Sequence, residues 1–168
     1  MATGPTYRVN LRRRREGRTD FRTRLALLKG RTPRAVVRKT NNNLIVQFVE
    51  YDETGDRIIA AATAVELRKL GWKGHTGNSG AAYLAGLLAG VRAKKAGLAS
   101  AILDLGRQAP VKGGRLYAGL AGAIEAGIEI PHGEEILPDE DRVTMKAKGD
   151  DIAENFEAVK AQILGGGA

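Results

Sequence analysis

Arginine is the residue type with the clearest chemistry in this chain, and it is concentrated near the N-terminus. The first forty residues hold thirteen Lys or Arg residues, eleven of them Arg, against two acids. The planar guanidinium group can bind two phosphate oxygens at once, and a cluster of such groups repels itself unless a polyanion neutralises it. This concentration of arginine therefore predicts a surface that binds nucleic acid.

The remaining charge is distributed unevenly. Residues 41–120 carry ten basic and six acidic residues, whereas residues 121–168 carry four basic and eleven acidic ones. Since like charges repel, the C-terminal part of the chain would avoid the polyanion that the N-terminal part attracts. We expect the last helix to pack on the body away from nucleic acid or to meet a neighbouring basic protein, and the sequence does not choose between these.

Residues suited to catalysis or metal binding are few. The chain has no Cys and only two His, His75 and His132, so neither a thiolate site nor a histidine site for a metal is expected. Asp104 ends a predicted strand, where α/β enzymes often place an acid, but it is a lone acid and we expect a structural role. The glycine-rich residues 106–114 do not fit a phosphate-binding Gly-x-x-x-x-Gly-Lys-Ser/Thr loop. These observations predict no enzyme activity, no metal, no cofactor and no small-molecule substrate.

Size and hydropathy favour one globular domain with an arm. The chain has 168 residues, of which 43% are hydrophobic, and this is enough for a core. It contains no run of about eighteen apolar residues, and no apolar signal region follows the basic N-terminus. We therefore expect a cytoplasmic protein without a membrane partner.

The arginine-rich segment needs an element that holds it. Residues 1–18 show no apolar periodicity and predict an arm that becomes helical only in a complex. A helix is predicted to begin near Asp20, whose carboxylate can cap it, and to end at Gly30. Its buried stripe would be Phe21, Leu25 and Leu28, with the arginines on its other side.

Three predicted strands follow, at residues 34–40, 44–51 and 57–63. They are joined by short turns, of which residues 41–43 are three asparagines, so an antiparallel meander is expected. Alternation along the first strand places Arg34 and Arg38 on one face as a row of two cations. Residues 100–105 predict a fourth, apolar and central strand.

Helices are predicted at residues 64–70, 79–96, 115–126 and 151–164, and residues 132–149 look irregular and acidic. In the second of these helices, Gly86 and Gly90 belong to a smooth ridge expected to lie against the sheet. In the last helix the apolar stripe is Ile152, Phe156, Val159 and Ile163. The predicted fold is α/β: a three-strand antiparallel meander plus a fourth strand in a mixed sheet, packed by helices. We divide the chain into an arm with a short helix (1–30), an α/β RNA-binding body (31–137) and an acidic C-terminal helical segment (138–168).

Several motifs together resemble the archaeal form of the large-subunit ribosomal protein L-eighteen family. They are residues 2–9 (ATGPTYRV), 12–20 (RRRREGRTD), 33–39 (PRAVVRK), 71–72 (GW), 76–78 (TGN), 82–90 (AYLAGLLAG), 102–106 (ILDLG) and 126–132 (AGIEIPH). Any one of them would be weak evidence, but together they cover roughly residues 1–137 in register. The resemblance implies a non-catalytic protein that binds 5S rRNA. With a second 5S-binding protein, it would attach 5S rRNA to large-subunit rRNA in the central protuberance, beside neighbouring ribosomal proteins.

The candidate RNA-binding residues come from the charge and position of the residues and from the family resemblance. Polar side chains in the asparagine turn can contact bases or 2′-hydroxyls, the loop tryptophan can stack on a base, and the resemblance adds the 76–78 turn. The full set is Arg8, Arg12, Arg13, Arg14, Arg15, Arg18, Arg22, Arg24, Arg34, Arg38, Lys39, Asn41, Asn42, Trp72, Thr76 and Asn78.

Two other functions compete with this prediction. A generic DNA-binding or chromatin protein would suit the charge, although no helix-turn-helix or zinc pattern is present. A metal-dependent nuclease or a nucleotide hydrolase of α/β fold would need several clustered acids, and only Asp104 lies at a strand end.

Overall fold

A computed structural model describes residues 4–145 and 149–165 of the chain. In these residues two helices precede three consecutive strands, and further helices flank a fourth strand, with two short 3-10 helices at Glu66–Leu70 and Glu134–Ile136. In chain order, the numbered elements are α1 (Arg12–Arg15), α2 (Phe21–Lys29), β1 (Arg34–Lys39), β2 (Leu44–Glu50), β3 (Arg57–Thr63), α3 (Ser79–Lys95), β4 (Ile102–Asp104), α4 (Arg115–Glu125), α5 (Glu140–Thr144) and α6 (Asp150–Leu164). The α/β prediction is confirmed.

The four strands form one mixed sheet in the order β3-β2-β1-β4. β1 with β2 and β2 with β3 pair antiparallel, which confirms the meander, and β4 pairs parallel to β1. The prediction that the fourth strand is central was wrong, since β4 has three residues and lies at the sheet edge. Its apolar residues are explained by the core it borders, because Leu103 packs against the main core cluster.

The core lies between one face of the sheet and helices α3 and α4. Ala35 and Val37 of β1 are each 1% exposed and belong to the same core cluster as the leucines of α3 and α4. Alternation in β1 is therefore as predicted: Ala35 and Val37 face the core, and Arg34 and Arg38 face the other side.

The glycine ridge of α3 packs against α4 and not against the sheet, which corrects the prediction. A Cβ atom on Gly86 would lie 1.9 Å from the carbonyl oxygen of Gly119, and one on Gly122 would lie 2.0 Å from that of Tyr83. The two helices thus touch backbone to backbone. The spacing of the glycines predicted that another element lies close to α3. It could not predict that this element is α4 and not the sheet.

Helix α6 completes the core from the C-terminal side. Phe156, Val159 and Ile163 are each at most 2% exposed, and Ile152 is half-buried, so the predicted stripe is confirmed. The ring of Phe156 lies 5.6 Å from that of Tyr83 on α3. The segment expected to be irregular contains α5 and a short 3-10 helix.

Helix α2 lies over the opposite, polar face of the sheet. Asp20 caps it as predicted, accepting hydrogen bonds from the backbone of Arg22 and Thr23. The predicted buried stripe was wrong for Phe21 and Leu25, which are 38% and 57% exposed, whereas Leu28 is half-buried. The physical reason is that α2 covers charged strand residues, so it turns Arg24 and Leu27 toward the sheet and leaves Phe21 and Leu25 outside.

Candidate nucleic-acid interface

The N-terminal arm presents most of its arginines to solvent. Within the described part of the chain, the side chains of Arg8, Arg14, Arg15 and Arg22 are exposed and have no hydrogen-bonding or ion-pair partner. One helical turn, α1, already carries the run of four arginines, where the sequence predicted helix only in a complex. These guanidinium groups are available to bind phosphate.

The other arm arginines make weak contacts. Arg18 and Arg12 lie 2.9 Å and 3.9 Å from the carboxylate of Glu16, and Arg13 donates a hydrogen bond to the hydroxyl of Thr19. The two ion pairs are solvent-exposed, and such pairs stabilise a fold by about 0–1 kcal/mol. An RNA phosphate could therefore displace Glu16 at little cost.

Arg24 ties α2 to the body. Its Nη2 atom lies 3.0 Å and 2.9 Å from the two carboxylate oxygens of Asp56, in the turn before β3. Asp56 also accepts a 2.7 Å hydrogen bond from Nη2 of Arg34 on β1. The carboxylate of Asp56 thus joins the helix to the sheet, and sequence analysis did not identify it because it lies in a plain surface turn.

Arg34 is buried, at 3% exposure, and it is bonded to carboxylates. Its Nη1 lies 2.9 Å from Oδ2 of Asp104, and its Nε is buried without a hydrogen-bond partner. The side chain that was predicted to face RNA is instead an internal ion-pair partner. Its positive charge is balanced within the protein by Asp56 and Asp104.

Arg38 shares the same carboxylate. Its Nη2 lies 3.0 Å from Oδ1 of Asp104, and its Nη1 donates to the carbonyl oxygens of Val37 and Asp104. Burial raises the pKa of Asp104, but hydrogen bonds from Arg38 and Arg34 and the charge of Arg38 outweigh burial and hold that pKa below its usual value. Asp104 therefore remains charged at neutral pH and has the structural role that the sequence predicted.

A cleft of about 480 Å³ lies between α2, the arm and the polar face of the sheet. Six arginines and three aspartates line it, so its walls have an excess of positive charge. They are Arg13, Arg18, Arg24, Arg34, Arg38 and Arg107, with Asp20, Asp56 and Asp104. Arg107, which follows β4, extends the basic surface of the arm onto the body.

A second group of candidates meets at the turn between β1 and β2. The hydroxyl of Thr76 donates to the carbonyl of Asn42, and a Cβ atom on Gly77 would lie 2.4 Å from the carbonyl oxygen of Asn41. Arg115 joins both segments, since its Nη1 lies 2.6 Å from the carbonyl oxygen of Gly77 and 3.4 Å from that of Asn41. The structure thus brings the asparagine turn and the 76–78 turn together. Arg115 was not among the predicted site residues. Its position at the start of a predicted helix, after a basic loop, was the only sequence signal for including it.

Not every predicted residue offers its side chain to a ligand. Trp72 is 4% exposed and belongs to the core, Thr76 is 3% exposed, and the side chain of Asn78 caps α3. Lys39 is half-buried, and its backbone is bonded to Gln108. Of the turn residues, Asn41 and Asn42 are exposed.

Neither a metal-ligating cluster nor a membrane-spanning helix is found among the described residues. Among residues 4–145 and 149–165, no group of three or more His, Cys, Asp or Glu side chains could hold a metal ion. None of the helices in these residues has the length and the apolar composition of a membrane span.

The known proteins to which this chain is similar are proteins of the large ribosomal subunit. The family described as "Ribosomal large subunit proteins 60S L5, and 50S L18" matches residues 5–100. The chain is 52% identical over 162 residues to the large ribosomal subunit protein uL18 of Korarchaeum cryptofilum, covering 96% of this chain and 81% of that protein. It is 49% identical over 169 residues to the protein of the same name from Methanoregula boonei, covering 97% of each.

Proposed function

The chain belongs to the family of ribosomal large-subunit proteins 60S L5 and 50S L18, and from this premise we propose that it binds 5S rRNA through its N-terminal arm. As a member of this family it is a structural, non-enzymatic component of the large ribosomal subunit in the cytoplasm, associated with rRNA and ribosomal proteins. The binding of 5S rRNA and the individual contacts described below are our proposal.

The observation that carries the proposal is the set of exposed, unpaired arginines at Arg8, Arg14, Arg15 and Arg22. RNA supplies phosphates at close spacing, and neutralising them releases counterions from the RNA. The exposed Asn41 and Asn42 can add contacts to bases or 2′-hydroxyls. The buried members of the predicted set hold the shape of this surface.

We propose a division of labour between the arm and the body. The arm binds along the RNA backbone, and the folded body of sheet and helices is a rigid platform beside it. Together with a second 5S-binding protein, the chain would attach 5S rRNA to the large-subunit rRNA in the central protuberance. The acidic residues 138–168 would remain away from the RNA because like charges repel.

Binding of isolated 5S rRNA at several salt concentrations tests the proposal. If the chain contacts about five to eight phosphates, log K should fall with log salt with a slope of roughly 0.7 to 0.9 per phosphate. Deleting residues 1–18 should remove most of the binding and leave the thermal unfolding of the body unchanged. Equal affinity of the truncated and full chains would refute the arm as the binding element.

A double substitution tests individual arginines. Arg14→Gln with Arg15→Gln should lower the salt slope by about 1.4 to 1.8, because two phosphate contacts are lost. The matched control is Lys94→Gln with Lys95→Gln, which removes the same charge from the exposed end of α3. Equal loss in both variants would mean that only net charge matters. Equal affinity for duplex DNA and folded 5S rRNA would favour the generic nucleic-acid-binding alternative.

A further inference from the structure

A second cleft, here called the C-terminal groove, lies on the helical side of the molecule. It has a volume of about 480 Å³ and lies between α3, α4, α5 and α6. Tyr83, Ile124, Leu137, Val143 and Phe156 give it an apolar lining. Pockets that hold small-molecule ligands have volumes of about 300 to 1,000 Å³, so a groove of this size also has room for one bulky side chain.

The rim of the groove is acidic. Glu140 and Glu157 border it, are exposed, and in the described residues their carboxylates have no bonded partner. Lys160 is the basic residue among the lining side chains, and Glu125 neutralises it at 2.8 Å. The free charge at the rim is therefore negative, as it is over residues 121–168, which carry eleven acids against four basic residues.

Lys160 shows how a cation fits this site. Its ammonium group lies 5.6 Å from the centre of the Tyr83 ring and is paired with Glu125. The aromatic ring and the carboxylate thus hold an alkylammonium chain between them, which shows that the lining of the groove accommodates a lysine side chain. An RNA phosphate would instead be repelled by Glu140 and Glu157.

We propose that the C-terminal groove docks a basic peptide segment of a neighbouring protein in the large subunit. One aliphatic or aromatic side chain of that segment enters the apolar floor, and Lys or Arg residues beside it pair with Glu140 and Glu157. Charge complementarity selects this occupant, because the groove offers carboxylates around an apolar centre. This contact lies on a different surface from the arm and does not depend on whether the arm binds 5S rRNA.

Photo-crosslinking in assembled large subunits tests the docking site. Leu164 is 53% exposed and lies one helical turn beyond Lys160 on the same side of α6, so a benzophenone amino acid there would reach the groove rim. We expect a cross-link to a protein segment rich in Lys and Arg. A cross-link to rRNA, a cross-link to an acidic segment, or no cross-link would overturn the proposal. The same probe at the exposed Tyr7 is the control that the reaction works in these particles.

Charge reversal tests the role of the rim. Glu140→Lys with Glu157→Lys should lower the cross-link yield from position 164 by about tenfold, because two attractive contacts become repulsive. Glu50→Lys with Glu53→Lys reverses the same charge on exposed residues at the end of β2 and in the turn after it, and should leave the yield unchanged. Thermal unfolding of both variants verifies that they fold. An unchanged yield in the groove variant would overturn the proposal.

Discussion

Arg34 and Asp104 form an ion pair between neighbouring strands, with Nη1 2.9 Å from Oδ2 and side chains that are 4% and 9% exposed. The other carboxylate oxygen of Asp104 binds Arg38, four residues further along β1. The two arginines of the sheet face therefore share one acid of the edge strand. Asp56 pairs with both Arg34 and Arg24, so the connected ion pairs extend from the sheet to α2.

Removing the shared acid should destabilise the fold strongly. Asp104→Ala would leave Arg34 buried with one of its two carboxylate partners missing, and breaking a buried pair in this way costs about 3 to 5 kcal/mol. The measurement is the free energy of unfolding in urea at neutral pH. Glu53→Ala, an exposed acid without a bonded partner in the described residues, is the control and should change stability by about 0.5 kcal/mol or less. Similar stability of both variants would contradict the role given to Asp104.

Stability should fall in acid because carboxylates with lowered pKa values must be protonated. Burial raises the pKa of Glu66, but hydrogen bonds from Arg92 and Thr63 outweigh burial and lower it, and the pKa of Asp104 is also lowered. A lowered folded-state pKa gives stability that is complete above the unfolded-state pKa of about 4 and is lost as pH falls through the folded-state value. Unfolding free energies measured from pH 7 to pH 2 should therefore decline below about pH 4–5. Glu66→Gln should flatten that decline. If the variant and the unmodified protein have the same pH profile, protonation of Glu66 does not contribute to the loss of stability in acid.

The contact between α3 and α4 should not tolerate a methyl group. Gly86→Ala would place Cβ 1.9 Å from the backbone oxygen of Gly119, which cannot rotate away as a side chain could. We expect a loss of about 2 kcal/mol or more in unfolding free energy, although alanine has the higher helix propensity. The control is Gly133→Ala, where a Cβ atom would have no neighbour within 4 Å. Equal stability of the two variants would mean that the helices separate at no cost.

The ion pair between Arg24 and Asp56 should decide how firmly α2 is held. No residue of α2 is buried, so Arg24→Gln removes a large part of its attachment. Amide hydrogen exchange should become faster in Phe21–Lys29 and remain unchanged in β1 and β2, because the helix opens locally. Arg22→Gln replaces an exposed arginine of the same helix whose side chain has no bonded partner in the described residues, and its exchange should match that of the unmodified protein. Faster exchange in both variants would point to helix propensity as the cause.

Much of the fold could be predicted from the sequence because its signals are local. The strand at 57–63 has the predicted bounds, Asp20 caps α2, and the stripe of α6 is buried as its spacing indicates. Alternation along β1 also separated Arg34 and Arg38 from Ala35 and Val37. These features depend on backbone periodicity and on residues within one turn, so a single segment of sequence determines them.

The candidate site was predictable in type but only partly in detail. The arginine concentration of the arm is visible in the sequence, and its residues remain exposed in the structure. The burial of Arg34 was not predictable, because its partner Asp104 lies seventy residues away and is brought beside it by the pairing of β4 with β1. The burial of Trp72 likewise depends on packing with distant segments.

The sequence by itself therefore determined the longer helices and the strands, and where cations are abundant, but not the short helices α1 and α5. Only the tertiary structure decided which cations are neutralised internally and which face of α2 is covered. The physical reason is that charge density and periodicity are properties of a segment, whereas burial and ion pairing are properties of what lies against it. Phe21 and Arg34 show this in opposite directions: the apolar side chain is exposed and the charged one is buried.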